Sequence, residues 1–424
     1  EPIIDWRGKL LPIAGELAGL NIRDARAKVV EKLAAKGLLV KTDENYTNIV
    51  KRCYKCQTMI EPQVKDQWFV KMTPLARSAL AALDEKKIRF VPDNYGKVFR
   101  YWLENTIDWN ISRQIVWGIP IPAWLCDDCH EGKAAIKDEA PKCEKCGNEM
   151  RRDTDTFDTW FSSGQWPLLV LNYRVGEDYK KYYPTSVMET GYDLIFRWVP
   201  RMVIFGLYLA GRVPISTVYL HGIVNDTAGK KMSKSKGNVV NPLEWTAKYG
   251  TDALRMGLVV GNPPGADLSL REDKIKGYKH FANKIWNAAR FVFANTKNAD
   301  FSTAPNLLPA HQEHLKKLDQ TVQEVTKQLE NWRPDLAADH IYHYFWHTFA
   351  DVIIEETKTV LKGDNLETKK SAQWLLYVIL ATALKLLHPF MPFVSEAVWE
   401  HLPAGASKKQ NLLLIEPWPT SSGV

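Results

Sequence analysis

Apolar positions recur at three-to-four-residue spacing over the last third of the chain and give way, upstream, to short apolar runs between helical patterns. From about Lys274 onward the pattern is helical throughout. His280–Asn295 sets Phe281, Ile285, Trp286, Ala289 and Phe293 on one stripe, and His311–Trp332, Leu336–Leu361, Thr368–Leu387 and Pro392–Leu402 continue it. Gly363-Asp364, Pro389 and Pro392 punctuate the last helices. The spacing predicts a helical bundle. Residues 183–260 predict strands at Thr185–Glu189 and Val218–Val224 and helices at Pro242–Tyr249 and Ala253–Val259, an alternation that implies a parallel α/β sheet. Residues 60–118, rich in tryptophan and proline, predict a short helix at Pro74–Leu83 among strands. Residues 1–50 read as a small α/β piece whose helix, Ala25–Lys36, has Asp24 as its expected N-cap and Gly37 just past its end.

A length of 424 residues fits about two to four domains at ~150 residues each. With 45% hydrophobic residues the chain can bury several cores. The balance of 56 basic and 49 acidic side chains gives +7, which permits a polyanionic partner without demanding one. The longest apolar runs, Trp374–Leu384 and Val203–Gly211, fall short of the ~18–20 residues that span a bilayer. No membrane partner is expected. The chain opens Glu1-Pro-Ile-Ile-Asp without a methionine, which reads as a piece of a longer protein.

All six cysteines sit in Cys-x-x-Cys pairs, a metal-binding arrangement in an intracellular protein. Cys126, Cys129, Cys143 and Cys146 form two close pairs joined by a loop of ordinary knuckle length. Four thiolates suit tetrahedral Zn²⁺ and leave no open position, so the expected role is structural. Cys53 and Cys56 are half of such a site, and either hold a metal with ligands upstream of Glu1 or remain a pair of reduced thiols. Lys231-Met-Ser-Lys-Ser235 lies between Gly229 and Gly237. Two lysines three apart, with glycines on either side, suit a loop that meets a polyphosphate, or an ordinary solvated loop. Asp193 and Trp198 fall beyond a predicted strand end, where open α/β sheets take ligands. Asp193 suits a ribose there, or a helix N-cap; Trp160 suits a pocket wall, or simple core. Gly222–Lys230 lacks the spacing and hydroxyl of a phosphate loop, and His343 and His347, at i, i+4 among aromatics, are expected to be packed bundle histidines.

Taken together, these strings resemble the valyl branch of the class I aminoacyl-tRNA synthetases across essentially the whole chain. The marks appear in order as Asp66-Gln-Trp-Phe-Val-Lys71, Asp108-Trp-Asn-Ile-Ser-Arg-Gln114, Asp158-Thr-Trp-Phe-Ser-Ser163, Thr190-Gly-Tyr-Asp193, Lys231–Ser235, Asn283-Lys-Ile-Trp-Asn287 and His388-Pro-Phe-Met-Pro-Phe393. The resemblance implies a cytoplasmic, monomeric ligase that uses ATP with Mg²⁺ to make valyl-adenylate and passes the valyl group to tRNA(Val). It implies that Lys231 and Lys234 stabilise phosphate charge as catalytic groups, with Ser233 beside them. Gly191 and Asp193 would hold the ribose, and His221, Gly222 and Val224 would line the adenine site. Trp160, Leu194 and Trp198 would wall the amino-acid pocket.

The implied fold is the second half of a class I nucleotide-binding domain with a zinc-knuckle insertion, followed by an all-α anticodon-binding bundle. Residues 1–60 would be the tail of an editing domain, 61–273 the catalytic part, with the knuckle at 124–150 and the signature loop at 229–238, and 274–424 the bundle. The family's other signature, His-Ile-Gly-His, is absent, as is the core of the editing segment. The chain therefore resembles a downstream half that binds tRNA but does not activate valine alone. The rival expectations are a non-catalytic tRNA-binding protein derived from a synthetase, and an isoleucyl enzyme.

Overall fold

Parallel strands need crossover connections long enough to return the chain to the same edge, and a helix is the usual filling. The computed structural model describes residues 2–53, 56–135, 140–233, 237–405, 407–408 and 410–420. They divide into two compact units, 1–70 with 108–158, and 71–107 with 159–424.

In the second unit, α1 (Met72–Asp84), β1 (Arg89–Val91) and α2 (Asn94–Glu104) are followed by α3 (Thr159–Ser163), β2 (Thr185–Gly191), α4 (Trp198–Ala210) and β3 (Ile215–His221). β3 is central, parallel to β1 on one side and to β2 on the other. Its Ile215, Val218 and Leu220 are buried, as are Val199, Met202 and Val203 of α4, the crossover helix between β2 and β3. The predicted strand Val218–Val224 is interrupted at Gly222. The chain resumes as β4 (Val224–Asn225), which pairs in parallel with β5 (Leu268–Ser269). α5 (Pro242–Tyr249) and α6 (Thr251–Val259) lie between them in sequence.

The bundle comprises α7 (Glu272–Thr296), α8 (Pro309–Glu330), α9 (Pro334–His343), a π-helical segment (Tyr344–Ile353), α10 (Ile354–Lys362), α11 (Leu366–Leu387) and α12 (Pro392–His401). The single helix predicted over Leu336–Leu361 is thus three segments. Tyr344, Phe345, Phe349, Ala350 and Ile353 of the π-helical segment are buried in the core. His343 and His347 are not packed inside. Their side chains are 57% and 58% exposed and lie near Asp339 and Asp351 respectively. α11 reaches 22 residues, long and apolar enough by composition to cross a membrane, yet 83% of its apolar window is buried in the bundle. It is the central core helix, capped where Asn365 accepts from the amides of Glu367 and Thr368.

In the first unit, a helix covers Ile22–Ala35 and is capped by Asn21, whose side chain accepts from the Arg23 amide; Asp24 instead lies in its first turn. Residues 2–53 show isolated bridges but no strand among the described residues, so the expected α/β piece is mainly helix and turns. A three-stranded antiparallel sheet, with Ala123–Leu125 between Gly132–Ala134 and Arg151–Arg152, carries the cysteine insertion. Three buried carboxylates tie this unit together, each supplied with donors as burial requires. Asp153 accepts from Trp68 Nε1 at 2.7 Å, and Asp155 from Lys65 Nζ at 2.6 Å and Gln114 Nε2 at 2.7 Å. Asp158 accepts from Arg113 Nη2 at 2.6 Å and Trp109 Nε1 at 3.0 Å.

Leu380, fully buried in α11, offers a direct measure of bundle packing. Leu380→Ala is expected to lower unfolding free energy by about 2–5 kcal/mol in denaturant titration, and Leu366→Ala, at the exposed start of α11, by less than about 0.5 kcal/mol.

Candidate nucleotide site and cysteine cluster

Gly191 closes β2, His221 closes β3, and the two are register partners. The chain leaves β2 through a 3₁₀ turn, Tyr192–Phe196, which carries Asp193 and Leu194. Asp193 is exposed and lies in the first turn of this segment, whose N-cap position is Gly191. A Cβ on Gly191 would stand 2.9 Å from Asp193 Oδ1 and 3.6 Å from His221 Cε1. The strand ends therefore gather a carboxylate, an imidazole and bare backbone at one point. His221 Nε2 lies 3.1 Å from Glu189 Oε1, and its Nδ1 lies 2.6 Å from the Gly222 carbonyl.

Gly222 is required by close approach. A Cβ there would fall 1.8 Å from the Ala266 carbonyl oxygen, backbone that cannot swing aside. The segment that passes over it is held by Asp267, which accepts from the Ile223 amide at 2.7 Å and from the Tyr192 hydroxyl at 3.4 Å. Tyr192 stacks on Tyr95, with ring centroids 6.1 Å apart. Asp267 escapes sequence reasoning because nothing around it marks it apart from any other loop carboxylate.

Val224 leads from this point into the signature loop. Asn225 bridges to Lys231, which is exposed. Asp226 accepts from the amides of Ala228 and Lys230, at 3.0 and 2.8 Å, and from Asn238 Nδ2 at 2.7 Å. That donation from Asn238, with the backbone amides, holds the Asp226 carboxyl below its usual range. Asn238 Oδ1 accepts from the Ser233 amide at 2.9 Å. Asp226 and Asn238 thus fix the two approaches to the loop; Lys234 lies outside the described residues.

Trp160 lies on α3, Leu194 in the 3₁₀ turn and Trp198 at the start of α4; α3 and the turn both pack against α4. All three side chains are half-buried. Trp198 Nε1 donates to the Ser163 carbonyl at 2.9 Å, which fixes its ring relative to α3. Trp166, not singled out from sequence, lies edge-on to Trp198 at 6.4 Å.

The four sulfur atoms of Cys126, Cys129, Cys143 and Cys146 all lie within 4.8 Å of one another. Cys129 Sγ is 3.3 Å from both Cys126 and Cys143 and 3.7 Å from Cys146. Tetrahedral Zn–S bonds of about 2.3 Å put sulfurs a little under 4 Å apart, so the cluster has the size of a metal site. Each pair is built alike. The first cysteine amide donates to the carbonyl five residues on, and the amide four residues on donates back. That fourth residue, His130 or Gly147, is left-handed, with φ 55° or 78°. Cys53 repeats the same turn, with Gln57 at φ 60°, but no other thiol or imidazole completes a cluster with Cys53 and Cys56 among the described residues. Amides of Cys146 and Lys145 pull the Cys143 thiol down to about 6, whereas hydrogen bonding with Cys143 and Cys126 pushes Cys129 up to about 12. Four thiols so close cannot all ionise without a cation among them, and the donor set fits a soft divalent metal.

Two outcomes follow from this geometry. Cys126→Ser is expected to reduce bound metal, measured by elemental analysis of the purified chain, from about one equivalent to less than about half. Gly222→Ala is expected to lower the melting temperature by several degrees, about 2 °C or more per kcal/mol, because the clash is with backbone.

A family described as tRNA synthetases class I (I, L, M and V) matches residues 16–271, and one described as the anticodon-binding domain of tRNA ligase matches residues 311–423. Valine–tRNA ligase of Pseudothermotoga lettingae is 42% identical over 419 residues, 98% of this chain and 48% of that protein. The valine–tRNA ligase of Thermotoga maritima is 42% identical, over 98% of this chain and 47% of its own length. The chain spans about half the length of the curated relatives it matches. Among solved structures, Mycobacterium tuberculosis methionyl-tRNA synthetase in complex with methionyl-adenylate has a TM-score of 0.66 at 17% identity, covering 83% of this chain and 65% of that one. The leucyl-tRNA synthetase–tRNA–LeuAMS ternary complex of Agrobacterium radiobacter K84 has a TM-score of 0.57 at 22% identity, covering 74% and 43%. These two likenesses establish the fold. The family match, over more than half of the residues, establishes membership: this chain belongs to the class I tRNA synthetases of the isoleucine, leucine, methionine and valine group.

Proposed function

We propose that this chain is the downstream part of a valine–tRNA ligase, acting with an upstream part that supplies the rest of the ATP site. The observation that carries this reading is 42% identity to valine–tRNA ligases along 98% of the chain. In the complete enzyme, valine and ATP with Mg²⁺ give valyl-adenylate and pyrophosphate, and the valyl group then passes to tRNA(Val). Residues 61–273 form the catalytic part, 274–424 the anticodon-binding bundle, and 1–60 the end of an editing domain.

The roles are those the family resemblance implies, and charge and position support them where the residues are described. Lys231 and Lys234 offset the negative charge that develops as the α-phosphorus is attacked, with Ser233 in the same loop; the gain is electrostatic and needs a preorganised loop, which Asp226 and Asn238 support. Asp193 and the bare backbone of Gly191 take the ribose, and His221, Gly222 and Val224 take the adenine at the strand ends. Trp160, Leu194 and Trp198 bound a space for an isopropyl group. Cys126, Cys129, Cys143 and Cys146 hold Zn²⁺ in a structural role. The bundle binds the anticodon arm of tRNA(Val), reading unpaired bases by stacking and edge contacts. The protein works as a monomer in the cytoplasm.

Supplied alone, the chain is expected to give no valine-dependent pyrophosphate exchange, because the sequence holds no His-Ile-Gly-His string. In the complete ligase, Lys234→Ala should slow activation by about 10²-fold; a loss below about tenfold removes the loop from the chemistry. Anisotropy titrations of the chain alone should show tighter binding to valine tRNA than to an unrelated tRNA, with affinity falling steeply as salt rises. Equal affinity for both RNAs, or for a mutant in the central anticodon base, would overturn the assignment of the bundle.

A further inference from the structure

α6 belongs to two hydrophobic cores at once. Its Ala253 and Leu254 pack in a cluster with Tyr249, Leu270 and Ile275, against which Val224 and Val240 also lie. Its Met256, with Val260 just past its end, lies in the bundle core, which includes Phe390 and Met391 at the corner between α11 and α12. Gly257 allows the close approach of α7: a Cβ there would fall 2.0 Å from Ile275 Cδ1. One short helix therefore shares one core with Val224 and Val240, which flank the candidate loop, and another with the bundle.

Apolar packing alone tolerates small sliding and rotation, because it is non-directional. Hydrogen bonds to helix ends do not, and α6 makes four of them at one corner. The Asp252 carboxylate, buried in α6, accepts from the Phe393 amide at 3.2 Å and the Val394 amide at 2.7 Å. These are first-turn donors of α12, whose own N-cap position, Met391, supplies no side-chain acceptor. One turn on, Arg255 donates to the carbonyls of Pro389 at 2.9 Å and Phe390 at 3.2 Å, in the corner after α11. A negative side chain thus meets the positive end of α12, and a positive one meets orphan carbonyls of the corner, the arrangement that helix-end charges favour. His388 Nδ1, paired with Ser395 Oγ at 2.9 Å, braces the corner from within.

We propose that Asp252 and Arg255 are positioning residues that lock the α11–α12 corner to α6, so that RNA held on the bundle is set in register with the strand-end residues and the signature loop. This rests on the ligase reading for the identity of the RNA. It adds a mechanical role that packing alone does not supply: the lock makes the bundle and the sheet respond as one body.

The test is hydrogen–deuterium exchange on the 424-residue chain with a short RNA hairpin carrying the valine anticodon loop, which is too small to reach the sheet. In the wild-type chain, hairpin binding is expected to slow exchange in the bundle and also, by at least about threefold, in residues 237–259. In Asp252→Ala the hairpin should bind with unchanged affinity and protect the bundle, while the remote protection disappears. Asp252→Asn, which keeps an acceptor but not the charge, should retain part of it, and Arg255→Met should lose it. Should Asp252→Ala fail to melt cooperatively, the other two variants carry the comparison. A purely structural role predicts instead that bundle and remote protection fall together with the melting temperature. Wild-type binding without remote protection, or variants that keep it, overturns the lock and leaves the ligase reading standing. A hairpin that binds no better than a scrambled one overturns the RNA reading of the bundle and the lock with it.

Discussion

The pairing of β3 between β1 and β2 is the constraint on which the candidate site depends. Parallel hydrogen bonding fixes Gly191 opposite His221, so both strands deliver their following turns to the same end of the sheet. The residues proposed to meet the ribose and the adenine are either those last residues or within a few residues of them, and the signature loop follows from the same strand end. Slipping the register by one would turn Val218 and Leu220 out of the core, which explains why so short a sheet can hold the site firmly.

Beyond the strand ends, the chemistry is organised by small polar side chains that act on backbone. Asp267 draws the segment after Gly265 across Gly222, and Asp226 with Asn238 shapes the approaches to the signature loop. These carboxylates touch main-chain amides rather than one another. Such contacts define backbone position to within a hydrogen-bond length.

The first unit solves a different problem. With short strands and a modest apolar cluster around Trp124 and Met150, it relies on covalent-like and charge-assisted ties. The four-cysteine cluster gathers two knuckles of identical turn geometry. Asp153, Asp155 and Asp158 collect donors from Lys65, Trp68, Trp109, Arg113 and Gln114. The strings that carry the family resemblance in residues 66–71 and 108–114 therefore include residues that build this unit, by satisfying buried carboxylates that would otherwise be strongly unfavourable.

Local chemistry made much of this protein legible in its sequence. The Cys-x-x-Cys turns, the three-to-four stripe of α7 and α8, the strands around Thr185 and Val218 and the Lys231–Ser235 string are each defined within a few residues, so composition and spacing were enough to find them. The interruption of the second strand at Gly222 was not, because its cause is backbone from residue 266. Nor was the π-helical segment at Tyr344–Ile353, or the capping of the first helix by Asn21 rather than Asp24. The exposure of His343 and His347, the partners of Asp158 and the grip of Asp252 on α12 were likewise decided only by the fold. Sequence periodicity says which face of an element is buried, whereas a buried polar group takes whichever donor the fold brings to it. For Asp252 that donor is 142 residues away along the chain.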